Sequence, residues 1–90
     1  MTDKAIYQAA LDTYGAESQT LMLFEEMSEL QKELCKHARG EENTEEIAEE
    51  IADVQIMLEQ MILLHDCEIF VQYWHEFKTR RLQELLGLSD

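Results

Sequence analysis

The 90-residue chain contains no proline and only three glycines, Gly15, Gly40 and Gly87. Tight turns between strands draw on both residue types, because glycine supplies positive φ and proline presets a negative one. A chain this poor in both must run in a few long elements. Apolar residues recur at three- and four-residue spacing along four segments, and no segment alternates for long. The expected fold is all-α. One domain spanning residues 1–90 forms a four-helix bundle-type arrangement.

The first helix, about residues 3–14, carries Ile6, Ala9, Ala10 and Leu11 and stops at Tyr14-Gly15. The second, about residues 18–39, places Leu23, Phe24, Met27, Leu30 and Leu34 on its stripe. Its end carries Lys36, His37 and Arg39 before Gly40, where basic groups meet the negative end of the helix dipole. The third opens after Asn43, with Glu46 placed to complete a capping box, and its stripe ends at Leu64 or His65. Its stripe reads Ile47, Ile51, Val54, Leu58 and Met61. Asp66 is placed to cap a fourth helix, about 67–86, with Val71, Trp74, Phe77, Leu82 and Leu85. Ile56, Met57, Ile62 and Leu63 extend the apolar surface around most of the third helix. A helix apolar on most sides is buried on most sides, more than 90 residues supply alone. A homodimer or homotetramer built around this helix is therefore expected.

At 46% hydrophobic and 30% charged residues, the chain is globular rather than disordered. Its balance is strongly acidic, 20 Asp and Glu against 7 Lys and Arg, a formal charge of −13. That surface repels nucleic acid and anionic membranes, which both demand basic patches. No apolar run approaches the roughly 20 residues of a membrane span. The opening MTDKAIYQAA is too polar for a secretory signal. Cys35 and Cys67 lack metal-site spacing and read as reduced cysteines of a cytoplasmic protein.

Within the second helix, LFEEMSEL sets Glu25, Glu26 and Glu29 among apolar residues. Glu26 and Glu29 share a helix face, their Cβ atoms roughly 5–6 Å apart. Glu50 and Asp53 repeat the spacing on the third helix. A short connection near residues 40–43 folds the two helices into an antiparallel hairpin. Glu29 lies about eleven residues before the turn and Asp53 about ten after it, so at 1.5 Å rise per residue the pairs sit level. Four converging carboxylates repel one another and raise one another's pKa. An oxygen-seeking cation, Mg²⁺ or Mn²⁺, would resolve the conflict. The plainer reading is a solvated acidic face, as for Glu41, Glu42, Glu45, Glu46, Glu49 and Glu59, and spacing alone leaves both open.

EEMSEL followed by EEIADV resembles the MazG-like all-α nucleoside triphosphate pyrophosphohydrolases, marked by Glu-Glu-x-x-Glu, a variable spacer and Glu-x-x-Asp. YGAESQ, which contains Gln19, and FKTRRLQEL are also similar to small members, so the resemblance covers roughly residues 14–86. It implies Glu26, Glu29, Glu50 and Asp53 as Mg²⁺ ligands, with Mn²⁺ as a substitute. Glu25 is implied as an outer ligand or a hydrogen-bond acceptor behind them, and Gln19 as a substrate contact. The implied reaction is hydrolysis of a nucleoside triphosphate between the α- and β-phosphates, giving monophosphate and pyrophosphate. No residue stands out as a reader of the base. Phosphoribosyl-ATP pyrophosphohydrolase is of similar size and fold, but the two acidic motifs fit the MazG-like pattern better. A non-catalytic acidic helical module of the same fold is the alternative from another class.

Lys78, Arg80 and Arg81 hold three of the seven basic residues. Lys78 and Arg81, three apart, share a face and suit a triphosphate clamp, or else complement the helix dipole. Trp74 on an apolar stripe is ordinarily core, though an indole can stack on a base. No Glu-x-x-His occurs, which counts against a di-iron carboxylate bundle.

Overall fold

A computed structural model describes all residues from Met1 to Asp90. It contains four helices and no strand: α1 (Asp3–Tyr14), α2 (Ala16–Ala38), α3 (Thr44–His65) and α4 (Glu68–Leu85). The all-α expectation and its four elements match this order, with boundaries shifted by a residue or two. None of the helices is long and apolar enough to cross a membrane.

Local chemistry sets the breaks. Thr2 Oγ1 accepts from the Ala5 N–H at 3.1 Å and caps α1. Gly15, at φ 92°, donates to Leu11 O at 2.9 Å, and its own carbonyl accepts from Gln19 N to begin α2. That φ is open to glycine and costly for a side chain. Asp66 adopts the left-handed conformation at φ 49°. Its N–H reaches Leu63 O and the Cys67 N–H reaches Ile62 O, both at 3.2 Å, a Schellman closure of α3. Asp66 therefore ends α3 instead of capping α4, a role its short polar side chain tolerates. Cys67 occupies the α4 cap position without a side-chain bond.

Asn43 also departs from the capping-box expectation. It precedes α3, but its side chain makes no cap hydrogen bond. Instead its Nδ2 donates backwards to Glu33 O at 2.8 Å and Glu33 Oε1 at 3.2 Å. Lys36 Nζ grips the other Glu33 oxygen at 3.0 Å. This buried knot ties the end of α2 to the start of α3 and fixes the hairpin.

α2 and α3 form the hairpin, and α1 packs on both. The buried residues are few: Leu11, Leu23 and Met57, with polar Gln19, Glu33, Asn43 and Gln60. On α3 the face turned inward carries Met57 and Gln60, whereas Ile51 and Leu58 of the expected stripe remain 42% and 45% exposed. A helix apolar nearly all round gives periodicity no phase to select, and the Gln19–Gln60 bond at 2.7 Å orients it instead.

Closure into a four-helix bundle is incomplete within one chain. α4 packs only against α3, apart from one exposed ion pair to α1, Lys4 Nζ to Glu68 Oε2 at 3.7 Å, and none of its residues is buried. α3 and α4 share an open cleft bordered by Glu59, Ile62, Val71 and His75 in place of a packed seam. The radius of gyration is 16.2 Å, against about 12 Å for a compact domain of this length. The accessible surface is 7309 Å², against about 5,500 Å² for a compact monomer of this mass.

Candidate metal centre

The hairpin register carries acids from both helices to one level. Glu26 from α2 meets Glu50 and Asp53 from α3, and one carboxylate oxygen from each lies within 4.8 Å of the others. All three side chains are half-buried in the seam. Their helices are held in register by the Asn43–Glu33 knot on one side and the Gln19–Gln60 bond on the other.

Electrostatics reflect the crowding. Burial, then the Asp53 charge, and then Glu50 push the Glu26 carboxyl above its usual range. Burial, then Asp53, then Glu29 and Glu49 do the same to Glu50. Glu50 Oε2 is buried and has no hydrogen-bond partner. A buried carboxylate oxygen left without a donor is costly. A divalent oxygen-seeking cation fits this set: hard donors, negative charge, and an oxygen lacking a partner.

Three of the four expected ligands are thus brought together. Glu29 is exposed and outside the triad, although its charge is felt by Glu50. Glu25 is exposed and borders a separate cleft of about 610 Å³ with Tyr14, Ser18 and Met22. Gln19 is 6% exposed, and its Nε2 donates to Gln60 Oε1. Lys78 and Arg81 are exposed and form no ion pair. Their helix makes no packing contact with α2, so they stand apart from Glu26. A cleft of about 620 Å³ between α1 and α3, bordered by Lys4, Tyr7, Ile56 and Leu63, contains none of the three carboxylates. Size therefore does not mark the site; charge does.

Gln60 and Asn43 were not singled out as partners for α2. For Gln60 a signal existed: an amide in the apolar run from Ile56 to Leu64 needs a hydrogen-bond partner if it is buried. No protein-family model matches the chain, and no curated protein or solved structure matches it.

Proposed function

We propose that the chain is a Mg²⁺-dependent nucleoside triphosphate pyrophosphohydrolase, releasing monophosphate and pyrophosphate. The observation that carries the reading is the Glu26–Glu50–Asp53 triad with its unpartnered buried oxygen on Glu50. The resemblance of EEMSEL and EEIADV to the MazG-like enzymes supplies the reaction class. Glu26, Glu50 and Asp53 would hold the cation, with Glu29 completing the set by a rotamer change on the same face. When bound, Mg²⁺ supplies charge neutralisation at the phosphates and acidifies a coordinated water. Glu25, one residue from the triad and solvent-facing, is assigned to orient water as a hydrogen-bond acceptor. Lys78 and Arg81 are assigned to the phosphates, and Gln19 acts by holding the α2–α3 register. Both cysteines are free, which suits a cytoplasmic setting.

The alternative of a non-catalytic interaction module is favoured by one observation, the aromatic face of α4, which is about half exposed along its length. Thermal melting separates the two readings. The enzyme reading expects Mg²⁺ or Mn²⁺ to raise the melting temperature of the parent but not of Asp53→Ala. A nonhydrolysable triphosphate should add to the rise only with the metal present. A parent indifferent to metal and nucleotide is the module.

A further inference from the structure

In α4, Phe70, Tyr73, Trp74 and Phe77 share one side of the helix. The rings of Tyr73, Trp74 and Phe77 touch one another, Tyr73 on Trp74 at 5.2 Å and Trp74 on Phe77 at 5.8 Å, yet each of the four residues is 48% exposed or more. At 100° per residue, Lys78 and Arg81 fall within the same sector, while Glu68, Gln72, Glu76 and Thr79 occupy the opposite one. The helix is amphipathic and turned to nothing.

The hairpin has the matching vacancy. Phe24, Met27 and Leu34 form an exposed row on α2, and Ile51 and Leu58 form one on α3. In the direction of increasing residue number, the α2 row lies about 100° and the α3 row about 130° onward from the residues that face the α2–α3 seam. In antiparallel helices rotations in that sense bring both rows to the same side. A continuous apolar strip therefore runs along the hairpin. One chain leaves both rows exposed, although Leu58 also borders the α1–α3 cleft.

We propose that the occupant of this strip is α4 of a second copy, exchanged reciprocally in a two-fold dimer. Area supports the choice. Each protomer exposes 7309 Å², about 1,800 Å² more than a compact chain of its mass. Two such excesses come to roughly 3,600 Å², inside the range of obligate homodimers. Charge supports it as well. Residues 1–67 hold 16 acids against 4 bases, whereas α4 is balanced at three of each, with Lys78 and Arg81 on its aromatic side and Glu68 and Glu76 on the opposite one. A two-fold axis satisfies both needs with one contact, because every copy owns one unpacked helix and one uncovered strip. The inference stands on packing alone and holds whether or not the triad binds metal.

The test uses light scattering on the full chain together with two substitutions at exposed positions, Phe77→Glu on α4 and Leu58→Glu on the strip. The parent is expected at twice the 10.6 kDa chain mass at micromolar concentration, and each variant at a lower mass. Mixing the two variants should restore dimers, because one of the two exchanged contacts is then free of both substitutions. Trp74, the sole tryptophan, gives a readout that needs no variant. Its emission should be that of a shielded indole in the parent and shift to that of a water-exposed one on dilution. A parent that is monomeric with water-exposed Trp74 overturns the proposal. So does a Leu58→Glu variant that stays dimeric, the outcome expected if α4 packs on α4, or a pair of variant monomers whose mixture forms no dimer. A monomer that gains mass only with an unrelated protein also contradicts it.

Discussion

Glu26 and Asp53 oppose each other across the α2–α3 seam with carboxylate oxygens within 4.8 Å, two like charges drawn together by the fold. With Glu50 they form a cluster that works against the helices carrying it. Burial and mutual repulsion raise Glu26 and Glu50 above the usual carboxylate range. Repulsion stored in a seam is characteristic of a site kept for a ligand.

In metal-free protein, Glu26→Gln is expected to raise the melting temperature, since it removes a charge from a repelling set while keeping the shape. A group raised in the folded state weakens folding at neutral pH, and that penalty fades as pH falls through its raised value. Parent and variant should therefore converge in mild acid. Saturating Mg²⁺ should reverse the order, stabilising the parent more. Scanning calorimetry with chelator and with Mg²⁺ checks both signs.

The Asn43–Glu33–Lys36 knot behaves oppositely. Hydrogen bonds from Lys36 and then Asn43 hold Glu33 below the usual carboxylate range. A lowered group contributes stability above its unfolded pKa and loses it as pH falls through the folded one. Glu33→Gln should melt below the parent at neutral pH, and the gap should close in acid. Asn43→Ala, which removes both bonds to Glu33, should cost about 1–3 kcal/mol. Denaturant titration of the three proteins across pH tests this; a gap that widens in acid contradicts it.

Gln19 and Gln60 form a buried amide pair, with Gln60 Nε2 donating onward to Met57 Sδ at 3.8 Å. Gln60→Leu strands the Gln19 amide and should cost about 1–3 kcal/mol, whereas the double change to leucine should recover most of it. If Gln19 acts only through register, the double variant keeps its substrate KM. A raised KM with stability restored identifies Gln19 as a substrate contact.

Lys78 offers a separate readout. The residue is exposed and without an ion-pair partner, so Lys78→Ala should leave melting unchanged. Contact with the triphosphate would show as a tenfold or greater loss in kcat/KM, about 1.4 kcal/mol in the transition state. An unchanged ratio makes Lys78 ordinary surface charge.

The helices were legible in the sequence because glycine placement and apolar spacing mark them locally. Gly15 and Gly40 sit at two breaks with positive φ. The Asp66 corner was misassigned because an aspartate serves equally as an N-cap and in a left-handed closure, and only the geometry of the two N–H groups decides. The triad was legible through helix rise and turn position, which bring Glu26 level with Glu50 and Asp53. Glu29 was grouped with them because spacing gives a shared face but not a side-chain direction. The phase of α3 was not legible. Ile51 and Leu58 outrank Gln60 in apolarity, yet the amide faces inward because its partner Gln19 awaits it there. Nor could spacing reveal that α4 leaves the hairpin uncovered.

The most direct measurement of the central claim is product analysis with a panel of nucleoside triphosphates, with Mg²⁺ and with chelator, on the parent and Asp53→Ala. The account predicts monophosphate and pyrophosphate in equal amounts from the parent with Mg²⁺, none with chelator, and none from a folded Asp53→Ala. Absence of turnover on every nucleotide, release of orthophosphate in place of pyrophosphate, or full activity in Asp53→Ala would contradict it.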